Sequence, residues 1–175
     1  IGYPVMIKAS SGGGGKGMRV ARSEDEFEFQ FNMAQRESAN AFGDDTMYME
    51  RFVENPRHVE IQIMADTHGN IVALGERDCS VQRNHQKLIE ESPSPAIDEV
   101  TRQRMNEYSV LAAKTVNYTN AGTIEFIVNQ QGEFFFMEMN TRIQVEHGVT
   151  EMVTGTDLIM EQIQVAMGEK LSFTQ

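Results

Sequence analysis

A chain of 175 residues with 40% apolar content and a net charge of −11 is large enough for one domain, or for two small lobes sharing a core. That charge disfavours nucleic acid and anionic membrane surfaces as partners, and no run approaches the ~20 apolar residues that a bilayer span requires. Cys79 is the only cysteine, so an internal disulfide and a cysteine-rich zinc site are excluded; it reads as a small buried hydrophobe in a reducing cytosol, organelle matrix or stroma.

The chain opens at Ile1 without a methionine or a charged-then-apolar leader and enters a strand within a few residues, which reads as a fragment. Val5 to Ala9 is that strand. Glycines 12 to 15 and 17 form a loop, and Met18 to Ala21 returns as a strand. Ser23 and Glu26 form a capping box for a helix carrying Phe27, Phe31 and Ala34 and ending near Gly43. Met47 to Val53 reads as a strand that closes a first lobe. From His58 the strands lengthen: Val59, Ile61 and Ile63 alternate with Glu60, Gln62 and Met64, so one face is the more apolar. Asp66 to Asn70 is a turn, and Ile71 to Leu74 begins the partner strand. Ser92-Pro93-Ser94-Pro95 breaks the sheet, and Asp98 caps a helix with Val100, Tyr108, Leu111 and Ala112 on one side. Thr123 to Val128 and Glu133 to Met139 form a hairpin around Gln131-Gly132. A last helix, capped near Thr156 or Asp157, shows Ile159, Ile163 and Ala166 before Gly168 ends it. Strand-rich lobes with helices against them make the fold α+β.

Gly12, Gly14 and Gly17 satisfy G-x-G-x-x-G, and the context decides what that means. A Rossmann loop must run into a helix, but Met18-Arg19-Val20-Ala21 has strand character. A Walker A loop needs Ser or Thr after its lysine, and Lys16 is followed by Gly17. A kinase flap would be accompanied downstream by His-Arg-Asp and Asp-Phe-Gly segments, which the chain lacks. What remains is a strand–loop–strand flap whose bare N–H groups suit phosphate oxygens, with Lys8 on the entering strand. Positive charge is gathered locally against the global sign: Lys8, Lys16, Arg19 and Arg22 form one group, Arg77, Arg83, His85 and Lys87 another.

If Gln131 and Gly132 are the central pair of the hairpin, Glu125 sits directly across from Glu138. Carboxylates about 4 Å apart repel by roughly 4 kcal/mol at an effective dielectric of about 20, so either one is protonated or a cation lies between them. Asn140 shares their face and adds a neutral oxygen, a donor set suited to magnesium or manganese. Phe126, Phe136, Met137 and Met139 suggest a sheet covered on both faces. Arg142 next to Glu146 can grip a small planar oxyanion while the carboxylate removes a proton, and Lys87 can complete the pocket.

Four stretches in this order resemble the biotin carboxylase family. They are Ile7-Lys8-Ala9 with Gly12 to Met18; Glu54-Asn55-Pro56-Arg57-His58-Val59-Glu60; Glu76-Arg77-Asp78-Cys79-Ser80 through Gln82 with His85-Gln86-Lys87; and Glu138-Met139-Asn140-Thr141-Arg142-Ile143-Gln144-Val145-Glu146-His147. The resemblance covers essentially the whole chain. It implies an ATP-grasp fold, with residues 1–54 as a small lobe bearing the glycine flap and residues 55–175 as part of the larger sheet lobe. It also implies that Lys8, Gly12, Gly13, Gly14, Gly15, Lys16 and Gly17 contact ATP phosphates, that Glu50, Arg51 and Val53 read adenine, and that His58, Gln82 and His85 line the nucleotide. Glu125, Glu138 and Asn140 match the magnesium or manganese site. Lys87, Arg142, Gln144 and Val145 match the bicarbonate pocket, and Glu146 matches the base. The implied reaction is ATP-dependent carboxylation of biotin on a carrier protein through carboxyphosphate, with a carboxyltransferase component as a further partner and a homo-oligomeric parent enzyme. Gly148 stands where the family usually has proline, which should loosen the turn after His147. Two alternatives stay open: a Mg-ATP-binding fragment without turnover, and another ATP-grasp ligase of carbamoyl-phosphate type.

Overall fold

The computed structural model describes residues 1–12 and 15–175. Gly13 and Gly14, both expected at the phosphates, lie outside the described residues. The chain divides into two compact units, Ile1–Glu54 and Asn55–Gln175.

The first unit is a three-stranded antiparallel sheet of order β2-β1-β3, built from β1 (Val5–Ala9), β2 (Met18–Ala21) and β3 (Met47–Arg51). Helix α1 (Glu24–Phe42) lays Phe27, Phe31 and Ala34 against Val5, Ile7 and Ala21 of the sheet, at the spacing the sequence predicts. It ends at Gly43, whose φ of 70° is left-handed backbone that glycine adopts without penalty. The start differs from expectation. The Ser23 side chain makes no capping bond, and Glu26 instead accepts from the backbone N–H of Arg22 at 2.9 Å, one residue earlier than a capping box requires. Glu24, Asp25 and Glu26 still place negative charge on the first turn, where the helix dipole favours it. Between β1 and β2 the loop closes tightly: the N–H of Ala9 donates to Gly17 O at 3.0 Å, and a Cβ at Gly17 would stand 2.8 Å from that of Ala9.

The second unit is a five-stranded antiparallel sheet of order β6-β5-β4-β7-β8, made of β4 (Arg57–Ala65), β5 (Ile71–Arg83), β6 (Gln86–Glu91), β7 (Asn120–Val128) and β8 (Phe134–Asn140). Val59, Ile61 and Ile63 of β4 and Ile124, Phe126 and Val128 of β7 pack with Met105 and Ala113 of α2 (Glu99–Thr115). The opposite face is also buried, but its central strand carries polar groups there: Glu60 and Gln62 are fully buried beside Met64. Leu158 of α4 (Leu158–Ala166) covers Met64 and Ala121 at one end of that face.

The helix faces depart from the sequence expectation. In α2 the buried stripe is Met105, Ser109 and Ala113, while Val100, Tyr108 and Leu111 are exposed and Ala112 is only partly packed. Small side chains let the helix approach the sheet closely, and the Ser109 hydroxyl is satisfied by Met105 O at 2.8 Å. In α4 the buried residues are Leu158, Glu161 and Val165, whereas Ile159 and Ile163 are exposed. Glu161 is buried because it accepts from the N–H and the hydroxyl of Ser172, fastening the chain end. Asp98 and Asp157 cap their helices through side-chain bonds of 2.8 Å, to the N–H groups of Thr101 and Met160. Gly148 lies in the first turn of a further helix, α3 (His147–Thr154), which the sequence reading did not anticipate.

Candidate functional site

Residues facing one another across the second sheet form a charged row. Arg77 on β5 pairs with Glu60 on β4, Glu60 with Glu125 on β7, and Glu125 with Glu138 on β8. Only the last of these pairs was visible in the sequence, and it arises differently from expectation. The hairpin has a three-residue loop, with the N–H groups of Gln131 and Glu133 donating to Asn129 Oδ1 and Gly132 at φ 79°. That loop alone would shift the pairing by one residue. An irregularity beyond Phe126, opposite Met137, shifts it back, and Glu125 meets Glu138 after all.

Three carboxylates on one rung repel one another unless cations or water intervene; cations stand against Glu60 and Glu125, while Glu138 is exposed to solvent. The Lys87 ammonium donates to Glu60, to Glu125 Oε1 at 2.8 Å and to Glu146 Oε1 at 2.7 Å. All three of its N–H groups are thereby used. Arg77, fully buried, donates from Nε to Glu60 Oε1 at 2.7 Å, and from Nη1 to Gln62 at 2.8 Å and Thr150 at 2.7 Å. Its Nη2 lies 2.7 Å from Glu60 Oε1, 3.4 Å from the Thr123 hydroxyl and 3.5 Å from Gln144 Oε1. His58 Nε2 stands 3.1 Å from Glu125 Oε2 and 3.7 Å from Glu60 Oε2 without being aligned for a hydrogen bond to either, so this pairing is electrostatic.

The titration of these groups follows. Burial opposes charge on His58, but the carboxylates of Glu125 and Glu60 outweigh it and raise the imidazole to about 9. Burial likewise favours neutral carboxyls, yet His58, Arg77 and Lys87 hold Glu60 at about 2, and His58 and Lys87 hold Glu125 at about 2. Lys87, opposed by burial but ringed by Glu60, Glu125 and Glu146, is pushed above its usual range.

The other candidates distribute as follows. In the first unit Lys8 pairs with Glu50 at 2.5 Å across the β1–β3 ladder; Gly12, Gly15, Lys16 and Gly17 belong to the β1–β2 loop, Arg51 ends β3, and half-buried Val53 follows it. In the second unit Gln82 lies 3.3 Å from His58 Nδ1 and donates to Cys79 O at 2.9 Å. Arg83 and His85 are exposed at the β5–β6 turn, whose central residues Asn84 and His85 both have positive φ. Gln144 is buried and donates to Glu125 Oε1 at 3.0 Å, while Val145 is 95% exposed and Arg142 is exposed with one bond, to Ile143 O at 3.1 Å. Glu146 is the N-cap residue of α3, which aims its carboxylate at Lys87.

Glu138 is exposed, and β8 is an edge strand with Phe136 60% exposed, so the sheet is not covered on both faces at this end. Among the described residues, Glu125 shares a compact potential ligand set with His58 and Glu60, all within 4.8 Å, and a second set joins Glu60, Cys79 and Glu146; neither includes Glu138. For a hard divalent cation Glu125, Glu138 and Asn140 offer the right chemistry, two carboxylates and an amide on neighbouring strand positions. Asn140 here donates its Nδ2 to Glu125 Oε1 at 2.9 Å, so its carbonyl oxygen would serve a cation only after the amide turns over. Glu60, Gln62, Thr123 and Thr150 were given no role by the sequence reading, and Arg77 was placed only in a local group of positive charge. The signal was a glutamate and a glutamine alternating with Val59, Ile61 and Ile63 in a strand that turns out to be buried on both faces.

Residues 1–174 match the family described as the carbamoyl-phosphate synthase L chain, ATP binding domain. A biotin carboxylase of Nostoc sp. is 61% identical over 175 residues, which are 100% of this chain and 39% of that protein. The mitochondrial methylcrotonoyl-CoA carboxylase subunit alpha of Rattus norvegicus is also 61% identical, with 24% of its length covered. Among solved structures, a Campylobacter jejuni biotin carboxylase in a β,γ-ATP complex superposes with a TM-score of 0.95 at 53% identity, covering 98% of this chain and 39% of that one. The biotin carboxylase domain of Hydrogenobacter thermophilus 2-oxoglutarate carboxylase, a dimer with MgADP, ADP and bicarbonate, gives 0.94 at 48% identity, covering 100% and 39%.

Proposed function

We propose, from the premise that this chain belongs to the carbamoyl-phosphate synthase L chain ATP-binding domain family and to the biotin carboxylases within it, that it serves ATP-dependent carboxylation of biotin by bicarbonate. The chain spans 39% of the length of the Nostoc relative, so the reaction is proposed for the full-length enzyme that carries such a segment. One observation supports this reading most directly: Lys87 joins Glu146 and Glu125 through one ammonium. The candidate base and a candidate metal ligand thus meet at the group that would receive the anion.

In this reading bicarbonate takes donors from Lys87, from the Arg142 guanidinium and from Gln144 and Val145. Glu146 removes the bicarbonate proton. The freed oxygen forms a bond to the γ-phosphorus as the bond from that phosphorus to the ADP oxygen breaks, giving carboxyphosphate. Because Lys87 has no unused N–H, the anion must replace one of its carboxylates. Magnesium or manganese held by Glu125, Glu138 and Asn140 would neutralise phosphate oxygens. Lys8 and the Gly12–Gly17 loop are assigned to the phosphates, Glu50, Arg51 and Val53 to adenine, and His58, Gln82 and His85 to the nucleotide wall. Carboxyphosphate breaks down to carbon dioxide and phosphate; biotin on a carrier protein gives its ring N–H proton to that phosphate, its nitrogen bonds to the carbon of carbon dioxide, and a carboxyltransferase component receives the product.

The test is ADP release by the full-length enzyme with and without bicarbonate and free biotin. Glu146→Gln should abolish the bicarbonate stimulation while nucleotide affinity stays within about twofold. A variant that keeps normal stimulation removes Glu146 from the role of base. A second reading, nucleotide holding without turnover, applies to the 175-residue chain taken alone, given the share of its relatives that it spans.

A further inference from the structure

Arg77 has no part in the chemistry outlined above, yet it is fully buried and its guanidinium reaches five side chains on four segments. Two of those contacts decide how the anion pocket is arranged. The Nε and Nη2 atoms of Arg77 both engage Glu60 Oε1, which leaves only Oε2 for Lys87. Glu60 therefore holds the lysine ammonium at a fixed offset from a fixed cation. Gln144 is the second. Its Oε1 faces Arg77 Nη2 at 3.5 Å and its Nε2 donates to Glu125 Oε1 at 3.0 Å. Turned over, the amide would set an N–H against the guanidinium and an oxygen against the carboxylate, so Arg77 and Glu125 permit one orientation only. A third contact, Nη1 to the Thr150 hydroxyl at 2.7 Å, ties down α3, whose N-cap residue is Glu146.

We propose that Arg77 is a positioning residue for bicarbonate: it fixes Glu60, Gln144 and α3 so that Lys87, Gln144 and Glu146 meet the anion in one geometry. This rests on the assignment of those three residues to bicarbonate made above. Arginine suits the task because its rigid planar fork carries five N–H donors for the acceptors around it, where a lysine ammonium has three.

The experiment uses Arg77→Lys and Arg77→Met in the full-length enzyme, with KM measured separately for bicarbonate and for ATP in ADP release. The expected result is a bicarbonate KM raised about tenfold or more with the ATP KM within about twofold, and a smaller rise for lysine than for methionine. A role in folding alone would lower the amount of active enzyme and leave both constants where they are. Unmoved constants in a folded variant, or equal rises in both, overturn the proposal. If neither variant folds, Thr150→Val removes one acceptor of the fork and should raise the bicarbonate KM about threefold; an unchanged value there is equally fatal. A wild-type enzyme whose ADP release ignores bicarbonate would sink the functional reading and this inference with it. Normal wild-type dependence with unmoved variants sinks the inference alone.

Discussion

Replacing Lys87 with methionine tests the electrostatics of the site most directly. The substitution keeps much of the side-chain volume and removes the ammonium that touches Glu60, Glu125 and Glu146 together. One oxygen of Glu60 lies within 4.8 Å of one from Glu125, and Glu60 stands in the same relation to Glu146. At that separation each carboxylate pair repels by about 3.5 kcal/mol at an effective dielectric of about 20. Proton uptake and water entry relieve part of this, and loss of one partner from a buried ion pair costs about 3–5 kcal/mol; that is the expected loss at pH 7. The variant also has a pH signature. In the parent chain Glu60 and Glu125 sit at about 2, so their contribution holds above about 4.5 and is lost only as pH falls through 2. In the variant the uncompensated carboxylates bind protons earlier, so lowering the pH from 7 to 5 should stabilise it while the parent changes little. Urea denaturation of both proteins in chelator-treated buffer at the two pH values reads this out. A loss below about 1 kcal/mol at pH 7, or a gap that does not narrow by pH 5, would refute the charge balance drawn here.

Two further perturbations have definite signs. His58, raised from its ordinary value to about 9, adds stability that is complete below about 6.5 and is lost as pH rises through 9; the loss is about 3 kcal/mol in metal-free buffer and should vanish in His58→Gln, with the imidazole proton resonances as a direct check. A Cβ at Gly122 would lie 2.8 Å from the Tyr118 ring, whose hydroxyl is anchored to Ala121 O at 2.7 Å, so Gly122→Ala should cost about 1–3 kcal/mol in thermal or urea denaturation, and a neutral result would mean that the ring has room to move.

Much of the chain was legible because its local signals agree with its packing. Phe27, Phe31 and Ala34 face the first sheet as their spacing predicts, and Asp98 and Asp157 cap the helices they precede. The opposition of Glu125 and Glu138 was predicted from a two-residue turn that does not exist, and came out because a three-residue loop and an irregularity opposite Met137 cancel. What the sequence concealed was tertiary. Nothing in the periodicity of α2 says that Ser109 and Ala113 rather than Tyr108 and Leu111 approach the sheet, because close packing there favours small residues. Nor does local pattern reveal that Glu60 has Arg77 on one side and Glu125 on the other, since those partners lie 17 and 65 positions away and meet only once three strands align. β6 and α3 were missed for a related reason: Gln86 to Glu91 is polar and at a sheet edge, and His147 to Thr154 follows directly on a segment dominated by charged and polar side chains.

The rung formed by Arg77, Glu60, Glu125 and Glu138 also guards assembly. Side chains alternate faces along a strand, so sliding β4 by a single residue would turn Glu60 towards Met105 and Ala113 and bring Val59 or Ile61 among the cations. Misaligned sheets would therefore strand unpaired charge in hydrocarbon, while the correct alignment cancels it. Glu125 and Glu138, proposed above as metal ligands, and the Arg77–Glu60 pair beside them thus double as a proofreading key for strand register during folding.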